Sequence, residues 1–592
     1  MLRRDRILPE DHLPAADGLI TAGRDLAGRV HVAPCPFLTE YGVDCEATYK
    51  RARMGEGAVM LHAQVGYRDA EKSRRAYAEI HARLAQDGIR LDRYGICLDW
   101  SMGYPADRRP HMPRGTGLIL DSAQAFAELS ACAPVAPHFG DFVIGTPAAL
   151  ENTIAALGAG ATSIGNLGQY FTFRQPHWDD DVTTTAETVK AIALIAAQPE
   201  EILVHSNLDD GFAATFRDAA CALGAVLIER YIVEDLLGAH VSHCYGHTYS
   251  DPLLRLAFQR ALAATRSCPG TMVYGNTTLY GKDQASNYAA LASYLLVDIY
   301  AQRSLPSGHA VNPVPVTEAE RIPEVDEIVD AQRFAGRLLE RSAPLDALTD
   351  GAKADGQAQQ LLHGGRQFRD NVLEGLSTAG IDTSNAFELL LSLRRTGARE
   401  LETQFGPGEL RDTPRGPVRE QLVTSATLSD LESKGRALAA ELDREQRAVI
   451  ESAAFTACLA TTDVHEYGKV VVENLLADLG VALVDAGISI DPEVLAQKAR
   501  AAGADFIAIS TYNGVALEFI HRLQRSLADA GMTVPIFIGG KLNQVPDASN
   551  TSLPVDVSAE LRRAGAIPCH QIADMLSSLA TLARETSGAG TV

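Results

Sequence analysis

The sequence predicts an α/β protein of two parts, an N-terminal (β/α)8 barrel of the TIM type and a C-terminal doubly wound, flavodoxin-like domain. Three observations carry this expectation. Between about residues 57 and 316, short β-rich segments alternate with helical patterns; from about residue 453 a second, cleaner strand and helix rhythm begins; and a Pro/Gly-rich break, FGPGELRDTPRGP at 405–417, lies between them. A chain of 592 residues exceeds one ordinary core, and its 46% apolar and 22% charged content suits a globular protein.

The first run reads AVMLHAQVG, YGICLDWSMGY, PVAPHFGDFVIG, ATSIGNLGQY, EILVHSNL, AVLIERYIV, HVSHCYGHTY, TMVYGNTTLYG and SGHAVNPVPV. Eight or nine such units joined by helices imply parallel strands, and closure into a barrel leaves no edge strand to protect. Residues 317 to about 400 read as helical, extending the barrel domain to 1–410. The segment 411–450 reads as a linker with one charged helix, LSDLESKGRALAAELDREQRAVIE. The last domain, 451–592, then offers strand AFTACLAT, loop DVHEYG, helix KVVVENLLADLG, strand VALVDAG, helix DPEVLAQKARAAG, strand DFIAIST, helix VALEFIHRLQRSLADAG, strand VPIFIGG, and a final short strand and helix.

The formal charge of -22 repels phosphate backbones and anionic lipid surfaces, so neither nucleic acid nor membrane is expected as the main partner. The start, MLRRDRILPEDHLPAADG, carries acids and a proline where a secretory signal needs an apolar core. Nine scattered cysteines without a C-x-x-C pair suit a reducing compartment, and the expected location is the cytoplasm. A homodimer is the base-rate assembly.

In a doubly wound sheet, ligands sit at the carboxyl ends of the strands. Asp463, His465, Gly468, Ser510, Tyr512, Gly514, Gly539 and Gly540 all fall at such ends. Their spacing, Asp463-x-His465-x-x-Gly468 followed by Ser510-x-Tyr512 and Gly539-Gly540, resembles the cobalamin-binding signature of coenzyme B12-dependent mutases and corrinoid methyltransferases. The resemblance implies that His465 is the lower cobalt ligand and that Asp463 orients it, in the manner of carboxylate partners behind metal-bound histidines. It further implies that Ser510 meets the displaced nucleotide base, and that Gly468, Gly539 and Gly540 admit the nucleotide tail. Tyr512 stands where the family usually has leucine.

The order of barrel then cobalamin domain resembles the carbon-skeleton mutases. GTPAALENTIAALGAGATS (145–163) and PSGHAVNPVPVTEAERIP (306–323) resemble glutamate mutase and 2-methyleneglutarate mutase at matching barrel positions. The pattern departs at Val143 and Gly165, where glutamate mutase has a carboxylate-clamping arginine and a basic glutamate, so glutamate itself is not the implied substrate. Arg53, Arg114 and Arg174 are the alternative grips for an acid. Candidate barrel site residues near predicted strand ends are His138, Asn166, Gln169, Tyr170, His243, His247, Tyr274, Asn276 and His309. His240, His243 and His247 also form a possible metal set, although His240 and His243 should face opposite sides of a strand.

The expected function is thus an isomerase dependent on adenosylcobalamin that rearranges the carbon skeleton of a small carboxylic acid through a substrate radical. Here the protein positions the substrate and excludes water. A corrinoid-dependent methyltransferase and a non-enzymatic cobalamin sensor are the alternatives.

Overall fold

In the computed structural model, residues 2–115, 117–318, 320–413, 416–463, 466–512, 514–544 and 555–589 are described. The chain forms two compact units, one of residues 1–171 and 179–426, the other of residues 172–178 and 427–592. The division falls inside the segment expected to be a linker.

Among the described residues the first unit contains eight short parallel strands: β1 (His62–Val65), β2 (Arg93–Ile96), β3 (Ala136–His138), β4 (Ser163–Ile164), β5 (Leu203–Asn207), β6 (His240–Cys244), β7 (Met272–Val273) and β8 (Ala310–Val311). They pair in chain order as β1-β2-β3, β4-β5-β6 and β7-β8. Parallel bridges Phe139–Ile164 and Tyr245–Val273 connect these groups, and Leu61–Val311 returns the last strand to the first, so the eight form a ring. AVLIERYIV is not among them. It lies in the helix Ala219–Arg230 and its continuation Tyr231–Leu236. A short apolar run is shared by buried helices and buried strands, and the preceding Ala-rich AACALG favours the helix.

The crossover helices begin where the sequence supplies caps. Asp69, Ser122, Asp180, Asp218, Asp251 and Asp283 each accept a backbone N–H from the first turn of the helix they precede. The helical extension is fastened to the ring rather than tethered beside it. The Asp218 carboxylate also accepts Leu422 N at 2.8 Å and Val423 N at 3.1 Å, and Glu402 accepts Arg217 N and Asp218 N. The helices Ala219–Arg230 and Ala352–Thr378 meet at Gly224 and Gly365, where a Cβ on Gly224 would lie 2.8 Å from Gly365 O.

Two buried ion clusters shape the ring. At its amino end the helix Glu46–Gly55 inserts Lys50, whose Nζ donates to Thr271 O and Gly308 O at 2.9 Å, while Glu46 takes Arg93 Nε at 2.9 Å. Nearer the other end, Arg255 makes a two-point pair with Asp298, both bonds at 2.7 Å, and donates to Gly246 O and Tyr274 O. That guanidinium therefore ties together the loops following β6 and β7.

The second unit is built on a five-stranded parallel sheet. After the hairpin β9 (Leu410–Thr413) and β10 (Gly416–Arg419) of the first unit come β11 (Thr456–Thr461), β12 (Ala482–Gly487), β13 (Phe506–Thr511), β14 (Ile536–Gly540), the small antiparallel pair β15 (Asn543–Gln544) and β16 (Val555–Asp556), and β17 (Ile567–Cys569). The sheet order is β12-β11-β13-β14-β17. Along β11, Cys458 and Ala460 join one apolar layer with Leu495 and Leu523, while Ala457 and Leu459 join the other with Leu475 and Leu579. Both faces are thus covered by helices, as an all-parallel sheet requires.

Replacing Asp298 with alanine leaves Arg255 buried without its counter-charge. A destabilisation of about 3–5 kcal/mol is expected, read from the urea midpoint of the first unit. An unchanged midpoint would contradict the role given to this pair.

Candidate functional site

The carboxyl ends of β11, β13 and β14 lie level, because Thr461 pairs with Ser510 and Ser510 with Gly539. The loop leaving β11 is fixed by its own side chains. Buried Asp463 accepts Tyr512 N at 2.8 Å and Thr462 Oγ1 at 3.0 Å through Oδ2, and Thr462 Oγ1 reaches Thr511 Oγ1 at 2.7 Å. The carboxylate therefore binds the β11 loop to the end of β13, a structural duty the sequence did not suggest. His465 lies outside the described residues.

Beside these strand ends, between the sheet and the helices Tyr467–Asp478 and Ile572–Ala589, runs a cavity of about 300 Å3. Gly468, Ser510, Gly539 and Gly540 line it together with Val471 and Phe537. Glycine is required at two of these positions. A Cβ on Gly468 would stand 2.5 Å from Ser510 Oγ, and Gly540, at φ +106°, would place one 2.2 Å from Thr511 O. Gly514, at φ +76°, sits in the turn before the helix Ala516–Asp529. At the rim, half-exposed Tyr512 receives Lys541 Nζ on its hydroxyl at 2.9 Å. Lys541 was missed by sequence reading, although it directly follows the Gly-Gly pair. So was Lys469, whose buried ammonium meets Asp485 at 2.6 Å.

Residues 456–557 match the B12 binding domain. The chain carries a B12-binding domain toward its C-terminal end. Among solved structures the chain is similar to a novel cobalamin-binding protein from Desulfitobacterium hafniense DCB-2, with 20% identity over 22% of this chain and 58% of that one, at a TM-score of 0.18. That score carries no argument about architecture. No curated protein matches the chain. No described helix is long and apolar enough to cross a membrane.

In the ring, the candidate residues separate into three groups. Asn166, Gln169, His247, Tyr274 and Asn276 stand at the carboxyl ends of strands. Asn166 Oδ1 accepts Gly168 N and Asn207 N, and Gln169 bridges Phe142 N and Asp141 Oδ1. The His247 and Tyr274 rings meet edge-on at 5.4 Å.

His138 belongs to the ring's interior. Its Nδ1 lies 3.0 Å from Ser163 O and its ring meets that of His205 at 4.4 Å; burial, with Arg93 nearby, holds both imidazoles neutral, well below their usual range.

Three candidates lie outside the ring's carboxyl-end interior, on another face or at the other end. His309 precedes β8 at the amino end, between Ser307 Oγ and His243 O, and burial depresses it to about 3. His243 turns to Glu229 on a crossover helix at 2.7 Å. Tyr170 is wholly buried against Thr185 and under Arg394. Strand-end position in the sequence does not reveal which face a side chain takes, and for two-residue strands it barely reveals which end.

The alternative arginine grips also lie elsewhere. Arg53 is held by Glu56 and Asp92 on the amino-end helix, while Arg114 and Arg174 are exposed. Val143 is packed in the core. His240, His243 and His247 form no metal group. The one cluster among the described residues with ligand atoms close enough for an ion is His177, Asp491 and Glu493. Arg522 already supplies a cation there, 2.7 Å from Glu493 and 3.3 Å from His177.

Acids overlooked in the sequence dominate the carboxyl end. Asp141, after β3, is pushed up to about 7 by burial and then by the Asp210 charge. Asp209, after β5, accepts Gly246 N at 2.8 Å and is pushed up to about 6 by burial. Their positions in HFGD and NLDD were visible as strand-end acids; the burial of Asp209 and the partial burial of Asp141 were not.

Between pH values of about 4 and 7, folded Asp141 keeps a proton that the unfolded chain, with a usual value of 3.8, releases. This group's contribution to stability is therefore present at low pH and lost as pH rises, by up to about 1.4 kcal/mol per unit. Asp141→Asn should gain stability relative to the wild type as pH rises between about pH 4 and pH 7 in paired denaturation curves. A pH-independent difference would contradict the burial of this carboxyl.

Proposed function

We propose that the chain is an adenosylcobalamin-dependent isomerase that rearranges the carbon skeleton of a small carboxylic acid. In this reading the ring is a (β/α)8 barrel of the TIM type that holds the substrate, and the C-terminal unit holds the cofactor. The observation that carries the reading is the cavity of about 300 Å3 at the level ends of β11, β13 and β14, inside the matched B12-binding domain.

The residues present fit the group. The cavity is of ligand-pocket size and mainly apolar, and Gly468, Gly539 and Gly540 are among the residues that line it. Ser510 offers a hydroxyl to a buried heterocycle, and Gly539 and Gly540 let a nucleotide tail approach the backbone. Asp463, through Tyr512 N and Thr462, is fixed two residues before His465, the residue that the family resemblance implies for cobalt.

When bound, adenosylcobalamin supplies radical chemistry that no side chain provides. The ring's part is to orient the acid and keep water away while a hydrogen is moved and returned. Buried amides support this work. Asn276 and Asn312, after β7 and β8, each have a side-chain nitrogen that meets no acceptor among the described residues, and each is suited to a carboxylate oxygen.

Two measurements test the reading. Gly539→Leu, at a cavity-lining position where a Cβ meets nothing closer than Cys569 O at 3.3 Å, should abolish corrinoid uptake in a visible-absorbance titration while circular dichroism stays unchanged; normal uptake would remove the cavity from the account. The wild type, given adenosylcobalamin and deuterated small acids, should transfer deuterium to the cofactor's 5′ carbon. Methyl transfer to an acceptor without such exchange would overturn the isomerase reading.

A further inference from the structure

The ring pairs most of its buried acids with cations, Asp298 with Arg255 near the carboxyl end among them. At the amino end every buried acid faces a cation: Glu46 faces Arg93 and Lys50, and Asp92 faces Arg53. At the carboxyl end, Asp209 is buried and Asp141 partly buried; both lie within electrostatic reach of Asp210, and His247 also acts on Asp209. The hydrogen bonds given for Asp141 and Asp209 come from neutral donors, Gln169 Nε2 at 3.3 Å, Gly246 N at 2.8 Å and Thr248 N at 3.3 Å. Residues of several loops converge there, because the Tyr274 hydroxyl lies within electrostatic reach of Cys97 after β2, Asp141 after β3, Asp210 after β5 and Glu318 after β8.

The second observation is a set of unpaired polar atoms at the same strand ends. Asp209 Oδ1 and Asn207 Oδ1 receive no hydrogen bond among the described residues, and their side chains are more than nine-tenths buried; the amide nitrogen of Asn276, equally buried, donates none. Asn207 points inward. His205 touches His138 across non-adjacent strands, and Asn207, two residues further along β5, lies on the same face. Orphaned buried acceptors cost free energy unless a ligand completes them.

We propose that the carboxyl end of the ring binds a small molecule carrying an ammonium group, held by Asp209 and Asp141, with Asn276 donating to an oxygen at its other end. The substrate class is then an amino acid or amino-bearing acid rather than a simple dicarboxylate. This deepens the proposed function by naming the class of acid, and it rests on that reading for its role in turnover. An ammonium suits the site better than a metal ion, because no His, Cys, Asp or Glu triad among the described residues at this end brings its ligand atoms within reach of a single ion. Buried carboxylates that accept the N–H bonds of a cation also regain the stabilisation that burial removed.

The full chain, with and without adenosylcobalamin, is titrated calorimetrically with the protein amino acids, each beside the acid that lacks its α-amino group. At least one amino acid should bind, and its deaminated counterpart should bind about tenfold more weakly or not at all. Asp209→Asn and Asp141→Asn should each weaken that binding by about tenfold or more while corrinoid uptake stays unchanged. The proposal is overturned if deaminated acids bind as well as their parents, if both variants bind normally, or if no amino acid binds at about 10 mM, above the usual substrate range. Retained amino-acid binding without corrinoid uptake would instead sink the cobalamin reading and leave this one standing.

Discussion

The level pairing of Thr461, Ser510 and Gly539 across β11, β13 and β14 is the constraint on which the C-terminal unit depends. Parallel strands in register bring their loops out at one height, so residues far apart in sequence line one cavity. The same register sets where side chains must be missing. A methyl group on Gly468 would meet the Ser510 hydroxyl, and one on Gly540 would meet the Thr511 carbonyl. The cavity is therefore kept open by backbone geometry on one side and by apolar helices on the other. The Asp463 carboxylate, clamped to Tyr512 N, holds the β11 exit loop at its edge.

In the ring the corresponding constraint is electrostatic. Charges buried at the amino end are neutralised by partners within the chain, and the Arg255–Asp298 pair locks the loops after β6 and β7. Against that rigid support, Asp141 and Asp209 stand out because burial and their neighbour Asp210 raise both. Low local polarity makes such groups expensive to leave incomplete and effective once a ligand completes them. Rigid scaffolding beneath and unsatisfied polarity above is the arrangement that substrate positioning calls for.

Much of the C-terminal unit was legible because its strands are apolar runs bounded by glycine and its helices have clear periodicity. Gly468, Ser510 and the Gly539-Gly540 pair were legible through spacing, while the depth of the cavity beside them was not, since depth depends on Val471, Phe537 and Met575 arriving from elsewhere in the chain. The ring was harder. AVLIERYIV has the composition of a strand and lies in a helix, and Tyr170, His243 and His309 carry the right chemistry on the wrong face or end. Asp141 and Asp209 escaped notice for the opposite reason, because an aspartate in a loop reads as a solvated one until the fold shows what covers it.

The central claim is that the cofactor's own base enters the cavity and a nitrogen of the polypeptide takes its place on cobalt. It is tested most directly by the electron paramagnetic resonance spectrum of cob(II)alamin bound to protein uniformly labelled with 15N. The account predicts that the nitrogen splitting of each cobalt line changes from a triplet in unlabelled protein to a doublet in labelled protein. A triplet retained in labelled protein would show the cofactor's own base still bound to the metal and would contradict the account.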